Sequence, residues 1–225
     1  VDATTVVATH LSHVVQLHAH ELLGHEEVQQ LLNAVARSTP KLVEDLVPKT
    51  LSLGQVVRVV QNLLLEHVPI RDFRTIAEAL AEQSAISQET DALTGAVRVA
   101  LRRTIVQQIN GIARDLPIIT LDARLEQLLH QSLRGDSGGA PSIEPGLAER
   151  LQQALAQCLN RQELQGEPTV LVVAPGIRTW LAKLYLPALP GLHVLGYTEI
   201  PETKQVRIVH TIGEDVLQAT MASAA

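Results

Sequence analysis

The sequence contains few aromatic residues and a single cysteine. Aromatics make up only 2% of its 225 residues, namely Phe73, Trp180, Tyr185 and Tyr197. Carbohydrate clefts and single-stranded nucleic-acid sites stack their ligands on several aromatic rings, so this scarcity argues against both. A net charge of −6 without a basic patch argues against nucleic acid as a partner. Because Cys158 is the only cysteine, an intrachain disulfide and a cysteine-rich zinc site are excluded.

A long apolar run and an initiating methionine are also absent. A membrane-spanning helix needs about 18 or more apolar residues in succession, and the sequence has no such run. It also carries no signal peptide pattern. The only methionine is Met221, and the chain begins at Val1. We therefore expect a portion of a longer protein, and we predict no membrane span within this portion.

The first half of the sequence carries apolar residues at helical spacing. Prolines and capping residues divide this pattern into separate segments. Asp72, shortly after Pro69, is a typical helix start, because its carboxylate can accept hydrogen bonds from N–H groups of the first turn. The predicted helices span residues 4–23, 25–37, 40–48, 53–66, 72–83 and 89–109. The stripe of the last one is Leu93, Val97, Ala100, Leu101 and Ile105.

After residue 110 the pattern changes to short apolar runs rich in β-branched residues. Such runs predict strands, and strands that alternate with helices predict an α/β layer. The segment EIPETK (199–204) favours a hairpin turn between the last two strands, and the Gly-, Ser- and Pro-rich stretch 135–145 favours a flexible loop. The predicted strands are 117–121, 169–174, 192–197 and 205–212, and the predicted helices are 122–134, 146–165 and 177–186.

These patterns together indicate the fold class. We predict a mostly α, α+β chain, in which an all-helical subdomain is followed by a small α/β subdomain with about four strands.

The motif GDSGG at Gly135–Gly139 matches the nucleophile loop of chymotrypsin-like proteases. That chemistry needs a β-barrel, a histidine, and an aspartate oriented on that histidine. The surrounding sequence is helical, and such a motif does not predict the chemistry outside its structural context. We interpret the stretch as a linker. The enzyme alternative, a small α/β hydrolase-like unit with Ser137 and a histidine, predicts an activity that is lost in Ser137→Ala.

Five of the nine histidines lie within the first 25 residues: His10, His13, His18, His20 and His25. The segment HELLGH (20–25) resembles a zinc protease motif, which places two histidines four residues apart so that both reach one metal. Here the spacing is five, which separates the two side chains by about 140° on a helix. Zinc needs three or four convergent ligands, so we predict no metal site and interpret the histidines as solvated or interface side chains.

The segment VVAPG (172–176) follows a predicted strand and precedes a predicted helix. A glycine at a helix N-terminus can bind an anion, but the segment lacks the GxGxxG spacing and the lysine of a P-loop. We therefore predict no nucleotide or other cofactor. We interpret Arg178 and Lys183 as the solvated face of the following helix.

Several multi-residue segments resemble, in the same order, the FlhA/LcrD family of type III export gate proteins, which serve bacterial flagella and the related virulence secretion systems. The likeness extends over nearly the whole chain and favours the flagellar branch. The virulence branch is one alternative, and a soluble adaptor unrelated to secretion is another. The segments are VATHLSHVVQLHAHELLG (7–24), VQNLLLEHVPIRDFRTI (60–76), AVRVALRRTIVQQ (96–108), LVVAPGIRTWLAKL (171–184) and HVLGYTEIPETKQVRIVHTIG (193–213).

The resemblance implies a role in protein export rather than catalysis. Family members have an N-terminal membrane portion and a cytosolic portion of four subdomains, and the cytosolic portions form a ring, usually of nine copies. The ring receives export chaperones with their substrates, contacts other export apparatus components, and passes substrates to the membrane channel. The cytosolic portion is not itself an enzyme and carries no cofactor. The implied location is the cytoplasmic face of the bacterial inner membrane.

The resemblance also implies how the chain is divided. Residues 1–25 correspond to a remnant of the first cytosolic subdomain, 26–110 to the helical third, and 111–225 to the α/β fourth. The boundary near Gly111 is a candidate hinge. The family's chaperone-binding cleft lies between the first and second subdomains, and its threonine in the VATH-like stretch aligns with Thr9. We expect Thr9 to contact chaperone or substrate, although a threonine one turn into a helix also bonds back to the chain.

Overall fold

The computed structural model describes residues 2–134, 144–213 and 216. The chain divides into two compact units, Val1–Ile105 and Val106–Ala225. The first unit is built from helices, and the second contains a four-stranded sheet with helices. The predicted fold class is confirmed, whereas the division into three subdomains stays a prediction. Within the described ranges, no helix has the length and apolar character needed to cross a membrane.

Caps define where the helices of the first unit begin. The Ser52 hydroxyl accepts a hydrogen bond from the Gln55 N–H, and the Gln55 side chain accepts one from the Ser52 N–H. The Asp72 carboxylate accepts from the Thr75 N–H at 3.2 Å, which confirms the predicted cap. The helices are α1 Ala3–Leu17, α2 Ala19–Leu22, α3 His25–Ala36, α4 Pro40–Glu44, α5 Leu53–Leu65, α6 Phe73–Ser84 and α7 Thr90–Ala100, and the boundary between the two units falls within the next helix, α8 Arg102–Asn110.

The core of the first unit forms along α5. Its buried residues recur at the i, i+3, i+4, i+7 spacing of one helix face, and the neighbouring helices contribute apolar residues in the same way. An irregular turn, Asp45–Thr50, joins α4 to α5. Burial of this stripe is the main source of stability for such short helices. The buried residues include Val28, Leu32, Leu46, Leu51, Val56, Val59, Val60, Leu63, Ile76, Leu80, Leu93 and Val97.

The single long helix predicted at 89–109 is wrong, because the structure forms two helices there. Helix α7 ends at Ala100, and Leu101 adopts φ −87° and ψ 5° before α8 begins. Leu101 and Ile105 are buried, as the predicted stripe requires, but Ala100 is exposed. The buried residues of the stripe, Leu93, Val97, Leu101 and Ile105, nevertheless continue across the break.

All strands of the sheet are parallel, in the order β3-β2-β1-β4. Parallel neighbours require crossover connections, and helices provide them between the first three strands. The strands are β1 Asp115–Leu121, β2 Thr169–Val173, β3 Leu192–Gly196 and β4 Gln205–Ile212, and the helices are α9 Ala123–Arg134, α10 Pro145–Gln165 and α11 Pro175–Tyr185.

The hairpin predicted between the last two strands is wrong. A hairpin would place them side by side and antiparallel, whereas β3 and β4 form opposite edges of the sheet. Their connection, residues 197–204, therefore has to pass β2 and β1. Glu199 and Pro201 in it are buried, which shows that this segment packs on the unit rather than turning in solvent.

The core of the second unit lies between the sheet and its helices. Ile119 and Leu121 of β1 lie on one side of the sheet, since alternate residues of a strand share a face. Leu171 and Val173 of β2 extend the same surface. Helices α9, α10 and α11 complete it with Leu125, Leu129, Leu147, Leu151, Leu155, Cys158, Ile177, Leu181 and Tyr185.

The turn after α8 is fastened within the second unit. Gly111 has a positive φ of 56°, a conformation that glycine adopts without steric cost. The Lys204 ammonium donates to the carbonyl oxygens of Gly111 and Ala113, and the Asn110 side chain donates to the Asp115 carbonyl at 2.8 Å. These bonds tie the turn to the start of β4. The hinge near Gly111 stays a prediction.

Candidate functional site

Helix α1 is apolar on one side and exposed throughout its described side chains. Val7, Leu11 and Val14 recur at i, i+4 and i+7, and we call these three residues the α1 stripe. Their exposed fractions are 66%, 61% and 38%. Helices α3, α5, α6 and α7 bury apolar residues. Among the described residues α1 therefore carries the amphipathic pattern of a packed helix, but its apolar face is uncovered.

Thr9 lies on the opposite side of α1 from the α1 stripe. Each residue advances a helix by about 100°, which places Thr9 about 160° from both Val7 and Leu11. Its side chain is exposed, and its hydroxyl donates to the Thr5 carbonyl oxygen at 2.8 Å. The hydroxyl hydrogen is therefore used within the helix.

The short segment between α2 and α3 is held in place by side-chain hydrogen bonds. The Gln61 side chain on α5 donates to the Leu23 carbonyl at 2.9 Å. The Glu27 carboxylate accepts from the Gly24 N–H at 2.9 Å. Hydrogen bonds from the backbone N–H groups of Glu27 and Gly24 lower the pKa of that carboxyl. These contacts hold Leu23 and Gly24, which follow α2, and α1 is connected to them through His18 and α2.

The described residues offer no evident catalytic or metal-binding arrangement. No group of three or more histidine, cysteine, aspartate or glutamate side chains in that part of the chain is placed to hold a metal ion. The GDSGG motif with Ser137 lies outside the described residues, so the hydrolase alternative is not tested by the structure.

The start of α11 is occupied by a carboxylate of the chain itself. Glu126 on α9 accepts a hydrogen bond from the Ala174 N–H at 2.7 Å, and the Tyr197 hydroxyl donates to the same carboxylate at 3.3 Å. The pKa of Tyr197 is raised by partial burial and by the neighbouring Glu126. An external anion at the VVAPG segment would have to displace Glu126, which disfavours the nucleotide-like interpretation of that segment.

The usual ligand-binding position of such a sheet, where its strand order reverses, is also occupied by the chain itself. In open α/β sheets, ligands bind outside the carboxyl ends of the strands at this point, which here lies between β1 and β4. The Asp122 N–H donates to the Ile212 carbonyl at 2.7 Å. A Cβ on Gly213 would lie only 2.2 Å from the Asp122 Cβ. Direct contact between these two chain segments fills the usual ligand position.

A buried ion pair joins α11 to the connection that leaves β3. The Arg178 Nε lies 3.5 Å from the Glu199 Oε1, and both residues are only 2% exposed. Arg178 also donates to the Thr179 hydroxyl at 2.9 Å. The prediction that Arg178 belongs to the solvated face of the helix is wrong, whereas Lys183 is exposed as predicted. The ion pair fixes the connection against α11.

A second buried arginine lies in the first unit. Arg98 on α7 is 2% exposed and pairs with Glu66, which follows α5, at 3.1 Å. Sequence reasoning missed Glu126 and both buried pairs. Their partners lie far apart along the chain, and no local pattern marks them; the one available signal is an arginine within an apolar helix face.

Solved structures with the same fold include the nonameric EscV cytosolic domain from the type III secretion system, which superposes with a TM-score of 0.79 at 27% identity and covers 92% of this chain and 61% of that one. The nonameric EPEC SctV-C superposes with a TM-score of 0.80 at 28% identity, covering 90% of this chain and 61% of that one. A chain of the Chlamydia pneumoniae CdsV and CdsO protein complex superposes with a TM-score of 0.83 at 25% identity, covering 91% of this chain and 59% of that one. The chain therefore shares the fold of these proteins.

Sequence comparison identifies the family. The model of the FHIPEP family matches residues 1–205. The flagellar biosynthesis protein FlhA of Escherichia coli K12 is 47% identical over 213 residues, which cover 95% of this chain and 30% of that protein. The chain belongs to the FHIPEP family, and its resemblance to FlhA/LcrD export gate proteins is confirmed. It spans less than a third of the length of this relative.

Proposed function

We propose that this chain is a cytosolic part of the flagellar type III protein export gate. In that role it forms part of a ring that docks chaperone–substrate complexes and passes export substrates to the membrane channel. The main support is the 47% identity to a flagellar biosynthesis protein across 95% of the chain. The identity to the virulence-type SctV-C is 28%, which favours the flagellar branch.

The proposed partners follow from the structural relatives and from the family. The nonameric state of EPEC SctV-C supports a ring built from copies of this chain. The CdsV and CdsO complex supports contact with a further component of the export apparatus. The proposed location is the cytoplasmic face of the inner membrane. The proposed role is docking rather than catalysis, without metal or cofactor.

Helix α1 has a specific place in this proposal. A row of exposed apolar residues marks an interaction surface, and the α1 stripe is such a row. We assign the stripe to packing against the remainder of the first cytosolic subdomain in the longer protein. Because Thr9 lies about 160° from the stripe on the helix, this packing leaves Thr9 available to a chaperone or substrate.

Replacement of Thr9 by arginine tests this assignment in the complete cytosolic portion of the protein. We expect Thr9→Arg to weaken binding of a chaperone–substrate complex at least about tenfold, because a long charged side chain replaces a small one at the contact. Isothermal titration calorimetry measures the affinity. Thr203 is an exposed threonine of the second unit, and Thr203→Arg is expected to leave the affinity within about twofold.

Two results would count against the assignment. If Thr9→Arg and Thr203→Arg bind equally well, Thr9 is not part of the docking surface. If Thr9→Arg lowers the thermal unfolding temperature of the portion, its effect on binding is structural. Because Thr9 is exposed on α1, we expect no such loss of stability.

A further inference from the structure

Strand β4 forms an edge of the sheet at which apolar side chains are exposed. Among the described strands it pairs with β1 alone. Val206 and Ile208 of β4 are 46% and 61% exposed, whereas Leu192, Val194 and Leu195 of β3, at the opposite edge, are buried. An exposed edge with apolar residues is a site at which a further strand can be added to a sheet.

The backbone groups of Val206 and Ile208 point away from β1. In a parallel pair, successive residues of a strand direct their N–H and C=O groups alternately toward the paired strand and away from it. The Gln205 N–H donates to the Arg114 carbonyl at 2.9 Å, so Gln205 and Arg207 face β1. The register with β1 is continuous from Gln205 to Ile208. Within the described sheet, the N–H and C=O groups of Val206 and Ile208 are therefore unpaired.

The open part of this edge is short. The register with β1 shifts after Ile208, and Val209 is passed over in the pairing. Such bulges, and charged side chains such as Arg207, limit uncontrolled pairing at an edge. The stretch Gln205–Ile208, which precedes the shift, therefore accommodates about four residues of an extended partner.

A further apolar residue lies at the start of this strand pair. Ile112 is 98% exposed. It lies between Gly111 and Ala113, whose carbonyl oxygens both accept from the Lys204 ammonium. Because Lys204 directly precedes β4, these bonds place Ile112 at the end of the sheet where the open stretch begins. An apolar side chain on a fixed turn binds a partner with little loss of conformational entropy. We call Ile112 and Gln205–Ile208 together the β4 edge surface.

We propose that the β4 edge surface binds an extended segment of an export substrate by adding it to the sheet as a further strand. An extended chain pairs with outward N–H and C=O groups, whereas a helix uses its own backbone groups internally. Apolar residues at alternate positions of the segment then lie beside Val206 and Ile208. That the partner is an export substrate rests on the proposed function.

A second copy of the chain fits this edge less well. Pairing of β4 with β4 of another copy is a twofold contact, which joins copies two by two. The ring proposed from the nonameric SctV-C has an odd number of copies, so this contact would leave one edge open. An extended segment of another protein is an occupant that every copy in such a ring can bind.

Binding of a chaperone-free filament protein to the present chain tests the proposal, with fluorescence anisotropy of the labelled filament protein as the measurement. Val206→Pro removes an outward N–H but no hydrogen bond to β1, and we expect it to weaken binding at least about tenfold. Val206→Thr keeps the N–H and the β-branched shape, so the affinity should stay within about threefold. Ile112→Ser removes the exposed apolar side chain and should weaken binding about fivefold.

Hydrogen exchange, followed residue by residue by NMR, tests the same edge without a substitution and decides the matter if Val206→Pro does not fold. In the free chain the amides of Val206 and Ile208 should exchange at least about tenfold faster than those of Gln205 and Arg207. Saturation with the filament protein should slow the two fast amides at least about tenfold.

Three results would overturn the proposal. Slow exchange of Val206 and Ile208 in the dilute free chain means that the chain itself covers the edge. Slowing that grows with the concentration of the chain, without filament protein, assigns the edge to a second copy. Absent binding, or binding that a folded Val206→Pro leaves unchanged, removes the β4 edge surface as the docking site. If the complete cytosolic portion still binds a chaperone–substrate complex in that case, the proposed function stands and only this inference fails.

Discussion

Arg178→Met is expected to lower the free energy of unfolding of the second unit by about 3–5 kcal/mol. The substitution leaves the Glu199 carboxylate buried, at 2% exposure, without its guanidinium partner. Removal of one partner of a buried ion pair costs far more than the intact pair contributes. Urea unfolding, followed by the fluorescence of Trp180, measures the effect. Trp180 is the only tryptophan and lies in α11, which also carries Arg178, so its signal reports this unit.

Two further variants test whether the buried charge of Glu199 causes the loss of stability. Arg207 pairs with Glu167 but is about half exposed, so Arg207→Met is expected to cost no more than about 1 kcal/mol. The double variant Arg178→Met with Glu199→Leu removes both charges and should recover most of the loss. A loss below about 1 kcal/mol in Arg178→Met, or no recovery in the double variant, would contradict the assigned role of the pair.

Leu11→Ala is expected to change the free energy of unfolding differently in the present chain and in the complete cytosolic portion. In the present chain Leu11 is 61% exposed, so the free energy of unfolding should change by less than about 0.5 kcal/mol. In the complete cytosolic portion we propose that the α1 stripe is covered. Truncation of a buried leucine there should cost about 2–4 kcal/mol. Denaturant unfolding of the present chain and of the complete cytosolic portion, each with and without the substitution, measures the two changes in the free energy of unfolding.

An exposed apolar residue elsewhere provides the control for this contrast. Ile86, between α6 and α7, is 80% exposed, and Ile86→Ala should be nearly neutral in both lengths. Equal, small effects of Leu11→Ala in both lengths would mean that the α1 stripe stays exposed, and the docking arrangement proposed for Thr9 would lose its basis.

Local periodicity predicted most elements of this fold but not their spatial arrangement. The helix predicted at 53–66 and the cap at Asp72 depend on residues within a few turns of each other, and both are found as predicted. The hairpin failed because a turn-like composition at 199–204 does not show which strand the next segment pairs with. In the structure the next segment, β4, pairs with β1, which lies about 90 residues earlier in the chain.

The candidate site shows the same limit. The sequence predicted that Thr9 lies on a helix, and the rotation of about 100° per residue gives the side of the helix on which it lies. Its back-bond to Thr5 was one of two alternatives before the structure. The Arg178 and Glu199 pair and the Glu126 cap depend on contacts between distant segments. A charged residue in an apolar helix is usually solvated, so local patterning gave the wrong environment for Arg178.

A parallel titration tests the central claim most directly. A chaperone–filament-protein complex is titrated by calorimetry into the complete cytosolic portion and into this chain alone. We predict that the complete portion binds and that this chain binds much more weakly or not at all, because the docking cleft is proposed to need the first and second subdomains. Binding to neither would contradict the proposed role in flagellar export. Equal binding to both would contradict the proposed position of the docking cleft.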